Sequence, residues 1–285
     1  MPSVIILTPA ADNPEFKANW PVWFERLSAP LNAVGIETRP HAWTEPLGAD
    51  HGADAALSLL SWGYHFKPDL WRERLDGLEA SGVKLINPPH VLRWNTAKTY
   101  LVELAEAGVS VVPTLAVDQV TPEAIEAARA HFGAEIIVAK PQISGGSHET
   151  LKLSPGDALV GGPTGAALLQ PFLPAVGEEG EISLFYFGGD FSHAVAKVAK
   201  AGDFRVQPQF GAAIGPVEAP AEALGVARAV LDAAPGPLTY ARVDLLRGRD
   251  GGLQLMELEV IEPDLYLQHA ADGGAMFAAA VKAAL

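Results

Sequence analysis

Four charged residues near the end of the sequence are spaced so that they could hold a cation. Arg242 and Asp244 lie in one alternating segment, and Glu257 and Glu259 lie in the next. Asp250-Gly251, between the two segments, is a strong signal for a two-residue hairpin turn. Counted back from that turn, Asp244 lies opposite Glu257. Arg242 lies opposite Glu259 in the same register, so all four side chains share one face.

The other face of this hairpin is apolar, so burial of the ribbon does not depend on the acidic residues. Carboxylates placed opposite each other repel, which favours a cation between them, and Mg²⁺ prefers such oxygen ligands together with substrate phosphates. The alternative is a hydrated acidic surface with an ordinary Arg242 ion pair, and a register slip of one residue would separate the set. The predicted apolar face consists of Val243, Leu245, Met256, Leu258 and Val260.

Two lysines upstream stand where they could meet an anion. A helix is predicted over residues 95–108 with Asn95 as its N-cap, and Lys98 falls in the first turn. A cation there opposes the helix dipole unless an anion lies nearby. Lys140 ends an apolar strand directly before the small-residue loop 144–147, whose backbone N–H groups could line an anion site. A solvated lysine and a plain turn would explain each feature taken alone.

The elements that must position these residues follow from hydrophobic periodicity. The first 90 residues alternate short apolar runs with amphipathic segments, which predicts a parallel sheet flanked by helices. The break at Asn87-Pro88-Pro89 is a candidate domain boundary. Residues 181–199 form a predicted hairpin that carries Lys197. Helices are predicted over residues 20–33, 68–80, 121–132 and 221–233.

Composition excludes several classes of protein. The chain has 285 residues, of which 49% are hydrophobic and 19% charged, as expected for a folded protein of about two domains. A formal charge of −14 without clusters of basic residues argues against a nucleic-acid partner. The absence of cysteine excludes disulfides, thiolate catalysis and zinc–thiolate sites. No positively charged leader and no apolar span are evident, so a cytoplasmic protein without a membrane partner is expected.

In chain order, these lysines, the glycine loop, the connector 168–174, Glu181 and the acidic hairpin resemble the ATP-grasp superfamily over about residues 88–285. More narrowly, the sequence is similar to the glutathione-synthetase-like branch, which includes the O-ureidoserine cyclo-ligase of cycloserine biosynthesis. The stretches that carry this narrower resemblance include SWGYH at 61–65, RWNTAKTYL at 93–101, FSHAV at 191–195, GDFRVQ at 202–207 and MELEVIEP at 256–263.

The resemblance implies an α/β N-terminal domain followed by an α+β ATP-grasp fold of two subdomains, with nucleotide bound between them. The expected bounds are 1–88 for the N-terminal domain, 89–168 for the first subdomain and 169–285 for the second, which carries the metal-binding hairpin.

The resemblance also implies which residues bind ATP. Lys98 and Lys140 are expected at the α- and β-phosphates. Glu181 is expected at the ribose, with Glu178 as the other candidate, and Gln170 occupies a position where the family often has Glu. The remaining expected nucleotide contacts are Gly145, Gly146 and Ser147 over the phosphates, Phe172 and Leu173 beside Gln170 at the adenine, and Lys197.

For the metal, the resemblance implies Mg²⁺ bound by Asp244, Glu257 and Glu259. The family usually has Asn at the last of these positions, so the second glutamate is a departure that puts the charge balance of the site in question. Arg242 and Arg205 are expected to stabilise the transferred phosphoryl group.

The implied function is an ATP-dependent carboxylate–amine ligase that acts through an acyl phosphate on a small amino-acid-like substrate. Trp62, Tyr64 and Glu262 are candidates for the acceptor pocket, with packing as the alternative role of the two aromatic residues. One alternative is an intramolecular cyclo-ligase that closes an O-substituted serine. Others are an inactive nucleotide sensor, suggested by the second glutamate, and a structural module whose acidic hairpin binds Ca²⁺ or a protein.

Overall fold

The N-terminal part is a parallel four-stranded sheet, as the alternation of strands and helices predicts. A computed structural model describes residues 1–200 and 202–285 of the chain. The sheet order is β2-β1-β3-β4, and its apolar strands are covered by helices that begin with Pro at or near their first positions. The elements are β1 (Ser3–Thr8), α1 (Trp20–Ala33), β2 (Glu37–Ala42), β3 (Ala55–Leu57), α2 (Pro68–Ser81) and β4 (Lys84–Ile86).

The middle part contains an antiparallel sheet of order β5-β8-β6-β7, packed against α5. Thr121 caps α5, because its side chain accepts a hydrogen bond from the Ala124 N–H. The elements are α3 (Pro89–Thr96), α4 (Tyr100–Glu106), β5 (Leu115–Val117), α5 (Pro122–Phe132), β6 (Ile137–Pro141), β7 (Leu151–Leu153) and β8 (Ala167–Pro171).

The single helix predicted over 95–108 is wrong. Pro89 starts α3 six residues before the predicted N-cap, and the chain leaves the helix at Ala97, which is extended at φ −107° and ψ 125°. A new helix, α4, then begins at Tyr100. Lys98 therefore lies in the link between two short helices, and Asn95 lies inside α3.

The last part is a five-stranded antiparallel sheet of order β11-β10-β9-β12-β13. One of its faces packs on α4 and α7, and Ala223, Ala227 and Val230 of α7 are fully buried there. The elements are α6 (Ala175–Glu178), β9 (Glu181–Phe187), β10 (Asp190–Val198), β11 (Ala213–Pro216), α7 (Ala221–Ala233), β12 (Tyr240–Arg247), β13 (Leu253–Glu259) and α8 (Ala275–Ala283).

The end of the chain returns to the N-terminal part. Phe277 of α8 is fully buried in a core shared with Leu31 of α1 and with Phe185 and Tyr240 of the last sheet. None of the helices within the described ranges is long and apolar enough to cross a bilayer. We propose the three-part division expected from the sequence with one change: the second boundary follows Pro171, because β8 pairs with β5 and β6 of the middle sheet.

Candidate active site

A cavity of about 1310 Å³ lies where the three parts of the chain meet. Its walls come from α1, from the ends of β6 and β8, and from β9, β12 and β13. All the site residues expected from the sequence line this cavity, except Tyr64 and the second ribose candidate, Glu178. Residues separated by as many as 200 positions are therefore brought to one space.

The hairpin of β12 and β13 presents its charged residues to this cavity. Asp244 lies opposite Glu257 and Arg242 lies opposite Glu259, which confirms the predicted pairing at these positions. Each of the three acidic residues offers one oxygen, and these oxygens lie within 4.8 Å of one another. Carboxylates this close need cations to remain ionised together.

Two deviations from the predicted hairpin compensate for each other. The Gly248 N–H donates to the Gly252 carbonyl oxygen at 2.7 Å, so the turn contains the three residues 249–251 and the predicted two-residue turn is wrong. A β-bulge then adds one residue, Met256, to β13 and restores the register at the acidic residues. Met256 lines the cavity, so its predicted place on the apolar face is wrong; Leu255 is fully buried there instead.

Arg242 holds two of the acidic side chains. Its Nε and Nη2 donate to the two carboxylate oxygens of Asp244 at 3.0 and 2.9 Å, and Nη2 lies 2.6 Å from Glu259 Oε1. Burial opposes ionisation of Asp244, but Arg242 and Lys197 outweigh it and hold its pKa at about 2. Burial raises the pKa of Glu259 to about 7 against the attraction of Arg242, and Glu257 raises it further. Asp244 is thus anionic near pH 7, whereas Glu259 is the carboxyl group of the cluster that takes up a proton most readily.

Glu181 lies in the same buried network. Lys197 Nζ is 2.9 Å from Glu181 Oε1 and 3.4 Å from Asp244 Oδ1. Ser183 Oγ also donates to Asp244 Oδ1, at 2.5 Å. Burial raises the pKa of Glu181 even though Lys197 opposes this. Lys197 therefore holds two carboxylates in place at the floor of the cavity.

Lys98 connects the acidic hairpin to the glycine loop. Its Nζ donates to the Ser144 carbonyl oxygen at 2.6 Å and lies 2.7 Å from Glu257 Oε1. Its backbone N–H donates to the Gln142 carbonyl oxygen at 2.7 Å, which fixes the link between α3 and α4. Burial opposes ionisation of Glu257, but Lys98 and Lys140 outweigh it and lower its pKa.

Lys140 is buried without a carboxylate partner within 4.0 Å in the described part of the chain. Its Nζ contacts the Met256 sulfur at 3.8 Å. Burial lowers the pKa of Lys140 to about 8 despite the attraction of Glu257, and Lys98 lowers it further. A desolvated cation of this kind is stabilised by an anionic ligand.

Comparison with known proteins identifies the family. The chain matches no protein-family model. It is 34% identical over 220 residues to the cycloserine biosynthesis protein DcsG of Streptomyces lavendulae, an alignment that spans 70% of this chain and 72% of DcsG. The crystal structure of D-cycloserine synthetase DcsG superimposes with a TM-score of 0.82 at 26% identity, over 99% of this chain and 100% of that chain. The chain belongs to the ATP-grasp superfamily.

Membership in the ATP-grasp superfamily confirms the expected fold class and the expected ATP-dependent formation of C–N bonds. A structure of the ATP-grasp ligase PsnB with its minimal precursor also superimposes, with a TM-score of 0.66 at 18% identity over 98% of each chain. The chain is an ATP-dependent ligase that forms C–N bonds. Its cavity is therefore the candidate active site.

The glycine loop of this ATP-grasp protein is tightly turned. Gly146 and Ser147 have φ values of 58° and 62°, a conformation that is easily adopted by glycine and costs energy at serine. Ser147 Oγ donates to Gln207 Oε1 at 2.9 Å, which joins this loop to residues 202–207. Both loops thus border the same side of the cavity.

Gln170 offers an unused acceptor to the cavity. Its Nε2 donates to Thr114 Oγ1 at 2.8 Å, whereas its Oε1 is buried without a hydrogen-bond partner in the described part of the chain. Phe172 follows at the end of β8, and its ring lies 3.8 Å from Lys152 Nζ. Leu173 is buried beside it and lines the cavity.

The two arginines expected to act together differ in their surroundings. Arg242 is buried among the acidic residues, whereas the side chain of Arg205 is 37% exposed. Arg205 Nε and Nη2 bind the carboxylate of Asp203 at 3.0 and 2.7 Å, and its guanidinium lies 3.7 Å from the Phe210 ring centroid. Asp203 therefore neutralises Arg205 at the edge of the cavity.

The residues expected in the acceptor pocket separate into two groups. Trp62 lines the cavity, with its ring against Phe16 and Trp23, and Glu262 lines it as well. Tyr64 does not line it; the prediction is wrong because this ring packs at 5.5 Å on Trp71 in the core under α2. Tyr64 therefore has the packing role that was the alternative.

Sequence reasoning missed two features next to the site. His65 lines the cavity beside the glycine loop and directly follows Tyr64, the residue wrongly predicted to line the acceptor pocket. Tyr100 and Asn95 hydrogen-bond the backbone of β13 at Leu258. The RWNTAKTYL stretch contains both of the latter residues, but helical periodicity favours a cap for Asn95 and a core position for Tyr100 and gives no sign of a contact with a strand 158 residues away.

Proposed function

We propose that this ATP-grasp ligase transfers the γ-phosphoryl group of ATP to a substrate carboxylate and that an amine nitrogen then displaces the phosphate. The first step forms an acyl C–O–P bond and releases ADP. The second forms the C–N bond and breaks the acyl C–O bond, and the proton lost by the amine nitrogen leaves with the phosphate. The observation that supports this most strongly is that Asp244, Glu257 and Glu259 cluster in the same cavity as two buried lysines, Lys98 and Lys140.

The polar groups of the cavity fit a nucleotide. Lys140 is a desolvated cation without a carboxylate partner in the described part of the chain, as a phosphate-binding lysine requires. Lys98 and the loop 145–147 border the same space. Gln170 offers its free Oε1 to a hydrogen-bond donor such as the adenine amino group, with Phe172 and Leu173 beside it. Glu181 and Lys197 complete the nucleotide set that we propose.

The donor set of the hairpin fits Mg²⁺. Three carboxylate oxygens within 4.8 Å of one another match the hard oxygen ligands that this ion prefers. Mg²⁺ bound there would offset negative charge on the phosphates of ATP. Asp244, Glu257 and Glu259 would hold the ion, and Arg242 would remain beside it to stabilise the transferred phosphoryl group. We propose Arg205, at the edge of the cavity, as a second contact to the transferred phosphoryl group. Its guanidinium is already bound by Asp203.

The chemistry requires activation of the carboxylate. A carboxylate is a poor electrophile, since its charge is delocalised and hydroxide is a poor leaving group, whereas an acyl phosphate loses phosphate readily. Water must be kept from that intermediate. The glycine loop lies directly against His65 of the N-terminal part, so the phosphate side of the cavity and the acceptor side share a wall.

A small amino-acid-like substrate is the class that we propose. The similarity to a protein described as a D-cycloserine synthetase favours a cyclising version of the reaction as the second candidate, in which carboxylate and nucleophile belong to one O-substituted serine. Trp62 and Glu262 would then contact a single compact molecule.

The test combines binding and turnover. Mg²⁺ with ATP should raise the melting temperature of the wild type, and Lys140→Ala should abolish that shift, whereas Lys84→Ala, at an exposed strand position, should retain it. ADP release is then measured over a panel of carboxylates with amines, including O-substituted serines, and with hydroxylamine to trap acyl phosphate as hydroxamate. Tight ATP binding without any substrate-stimulated ADP release would indicate a sensor. A Lys140→Ala variant that still responds to ATP would contradict the proposed nucleotide site.

A further inference from the structure

The N-terminal part presents a cluster of aromatic rings to the cavity. Phe16 from the loop before α1, Trp23 of α1 and Trp62 from the segment after β3 all line it. The Trp62 ring packs edge to face on both of the others, with centroid distances of 5.7 Å to Phe16 and 6.1 Å to Trp23. None of these three residues belongs to the nucleotide or metal sets proposed above. The three rings together are termed the aromatic wall.

The helix that carries Trp23 turns one face to the cavity along most of its length. The lining residues of α1 include positions 23, 26, 27, 30 and 33, a spacing that keeps side chains on one side of a helix. At a rise of 1.5 Å per residue, this face extends roughly 15 Å. The cavity volume of about 1310 Å³ also exceeds the roughly 300–1,000 Å³ of a site for one small molecule. A second ligand therefore has room beside ATP.

Trp23 and Trp62 differ from the other tryptophans in having accessible indole N–H groups. Of the six tryptophans, these two have Nε1 atoms that are neither buried nor hydrogen-bonded within the described ranges. The N–H of a tryptophan that packs in a core usually finds a partner in the protein. Trp71 is such a case, because it is fully buried and its Nε1 donates to Thr96 Oγ1 at 3.1 Å. Trp23 and Trp62 instead pack on the core from one side and leave their N–H groups unused.

Contacts behind the aromatic wall hold it in place. Trp43 Nε1 donates to the Trp62 carbonyl oxygen at 3.0 Å, and Trp43 is itself buried. The next residue, Gly63, has a φ of 82°, and a β-carbon there would lie 3.1 Å from the Phe16 ring. Glycine thus permits both the turn after Trp62 and the close approach of Phe16. Because the rings are ordered before a ligand arrives, binding against them loses little conformational entropy.

Arg26 restricts the ligands that the aromatic wall suits. Its guanidinium lies 5.0 Å from the centroid of the Trp23 ring and has no carboxylate within 4.0 Å among the described residues. Aromatic clusters in proteins also bind quaternary ammonium groups. Arg26 already occupies the position of the cation over Trp23, so a second cation there would be repelled. Glu15 also lines the cavity, but its side chain is exposed to solvent.

We propose that the aromatic wall binds an uncharged apolar group of the acceptor substrate, best matched by an aromatic ring. A ring that enters the cavity removes apolar surface from water, and rings with centroids about 4.5–7 Å apart attract each other edge to face. The free N–H groups of Trp23 and Trp62 can bind an acceptor atom on such a group. The wall would then select the acceptor by its side chain, whereas the phosphate and metal residues act on its carboxylate. This inference rests on the proposed function and deepens it.

The experiment measures ligand-induced stabilisation in the presence of Mg²⁺ and a non-hydrolysable ATP analogue. The probes are phenylalanine and O-benzylserine in both configurations, each compared with its small counterpart, alanine or O-methylserine. For the better pair, the half-maximal concentration should be at least tenfold lower for the aromatic member, because its ring removes several more carbons from water. Trimethyllysine, compared with norleucine, tests for a cation site and should bind more weakly than norleucine.

Substitutions in the aromatic wall should change this preference and leave the nucleotide site intact. Trp23→Leu and Trp62→Leu should each reduce the preference for the aromatic member at least threefold, whereas Trp62→Phe, which keeps a ring, should retain most of it. Trp20→Leu is the matched control, because Trp20 lies on the same helix but does not line the cavity. It should leave the preference unchanged. A retained response to the ATP analogue shows that each variant is folded.

Three results would overturn the inference. The first is equal binding of the aromatic and small members of both pairs by the wild type. The second is an unchanged preference in both Trp23→Leu and Trp62→Leu, and the third is tighter binding of trimethyllysine than of norleucine. The wild-type measurements decide the question even where a tryptophan variant does not fold. Failure of the proposed function looks different, since the wild type would then not respond to the ATP analogue at all.

Discussion

Tyr100 and Leu258 exchange two hydrogen bonds: the Tyr100 hydroxyl donates to the Leu258 carbonyl oxygen and accepts from the Leu258 N–H, both at 3.0 Å. Leu258 separates Glu257 from Glu259 on β13, which is the edge strand of its sheet. Asn95 Nδ2 also donates to the Leu258 carbonyl oxygen, at 2.8 Å. Side chains of α3 and α4 thus bind the edge that a further strand would otherwise occupy.

We expect Tyr100→Phe to leave the Leu258 N–H buried without a partner. An unsatisfied buried donor costs about 1–3 kcal/mol, so the free energy of unfolding should fall by roughly that amount. The Mg²⁺ concentration needed for half-maximal ADP release should rise severalfold, because the two glutamates flanking Leu258 lose their support. Urea unfolding and a Mg²⁺ titration measure the two effects.

Tyr186→Phe is the matched control for that substitution. Tyr186 lies on β9 of the same sheet and is also buried, but its hydroxyl makes no hydrogen bond to the described part of the chain. This variant should change neither measurement. An unaltered Mg²⁺ requirement in a destabilised Tyr100→Phe variant would show that Tyr100 supports the fold and does not position the metal ligands.

The contact between α4 and β13 illustrates what sequence periodicity could and could not predict. The strand β1, a continuous apolar run, and the amphipathic helices α1 and α7 follow from local sequence pattern, and so does the parallel N-terminal sheet. The break at Ala97 does not, because it is determined by distant partners. Asn95 is a good N-cap by type, but in the fold its amide is used by β13. Tertiary hydrogen bonds outweighed the local capping preference.

Binding of ATP should weaken as pH rises above about 8, the pKa to which burial lowers Lys140. Phosphate binds the protonated amine, so the dissociation constant should be flat below that pH and rise by up to about tenfold per pH unit above it. Calorimetric titrations between pH 7 and 9.5 measure this. Lys140→Arg keeps its charge throughout and should remove the rise; the same rise in that variant would assign the titration to another group.

Lys140 should also make the ligand-free protein more stable at high pH. Its pKa is lower in the folded state than the ordinary 10.5, so between about pH 8 and 10.5 the unfolded chain binds more protons. The unfolding free energy contributed by this residue therefore increases with pH across that interval. Lys140→Met should flatten the increase and stabilise the ligand-free protein at pH 7, as measured by urea unfolding. A ligand-free Lys140→Met variant less stable than the wild type would contradict the cost assigned to the buried cation.

Glu259 should have the opposite effect on stability in the acidic range. Its pKa is raised from 4.5 to about 7 in the fold, so its contribution to stability is fully present below about pH 4.5 and is lost as pH rises through 7. Glu259→Gln should remove that loss and stabilise the ligand-free protein at pH 8 by on the order of 1–3 kcal/mol. It should weaken Mg²⁺-dependent stabilisation by ATP at the same pH. Melting curves from pH 5 to 8, with and without Mg²⁺, distinguish these effects. A destabilised Glu259→Gln variant would mean that the ion pair with Arg242 contributes more to stability than burial of the Glu259 charge costs.

The acidic hairpin shows how a prediction can reach the correct residues by an incorrect route. Counting from a two-residue turn places Asp244 opposite Glu257, and the structure agrees. It does so because the longer turn and the bulge at Met256 each shift the register by one residue. Alternation alone could not reveal the bulge, since Met256 is as apolar as the core residues around it. Its side chain instead contacts Lys140, a partner 116 positions away.

The glycine loop offers a test that separates the acceptor side of the cavity from the phosphate side. A β-carbon on Gly145 would meet the His65 ring at 3.0 Å, whereas one on Gly146 would have Gln209 Nε2 as its nearest neighbour at 3.6 Å. Gly145→Ala should therefore displace His65 and reduce substrate-stimulated ADP release at least tenfold, with stabilisation by Mg²⁺ and ATP largely retained.

Gly146→Ala adds no clash but strains a residue at φ 58°, which costs about 1 kcal/mol. It should lower the melting temperature slightly and affect ATP binding more than substrate use. Equal losses of ATP binding in the two variants would indicate that both glycines serve the phosphates.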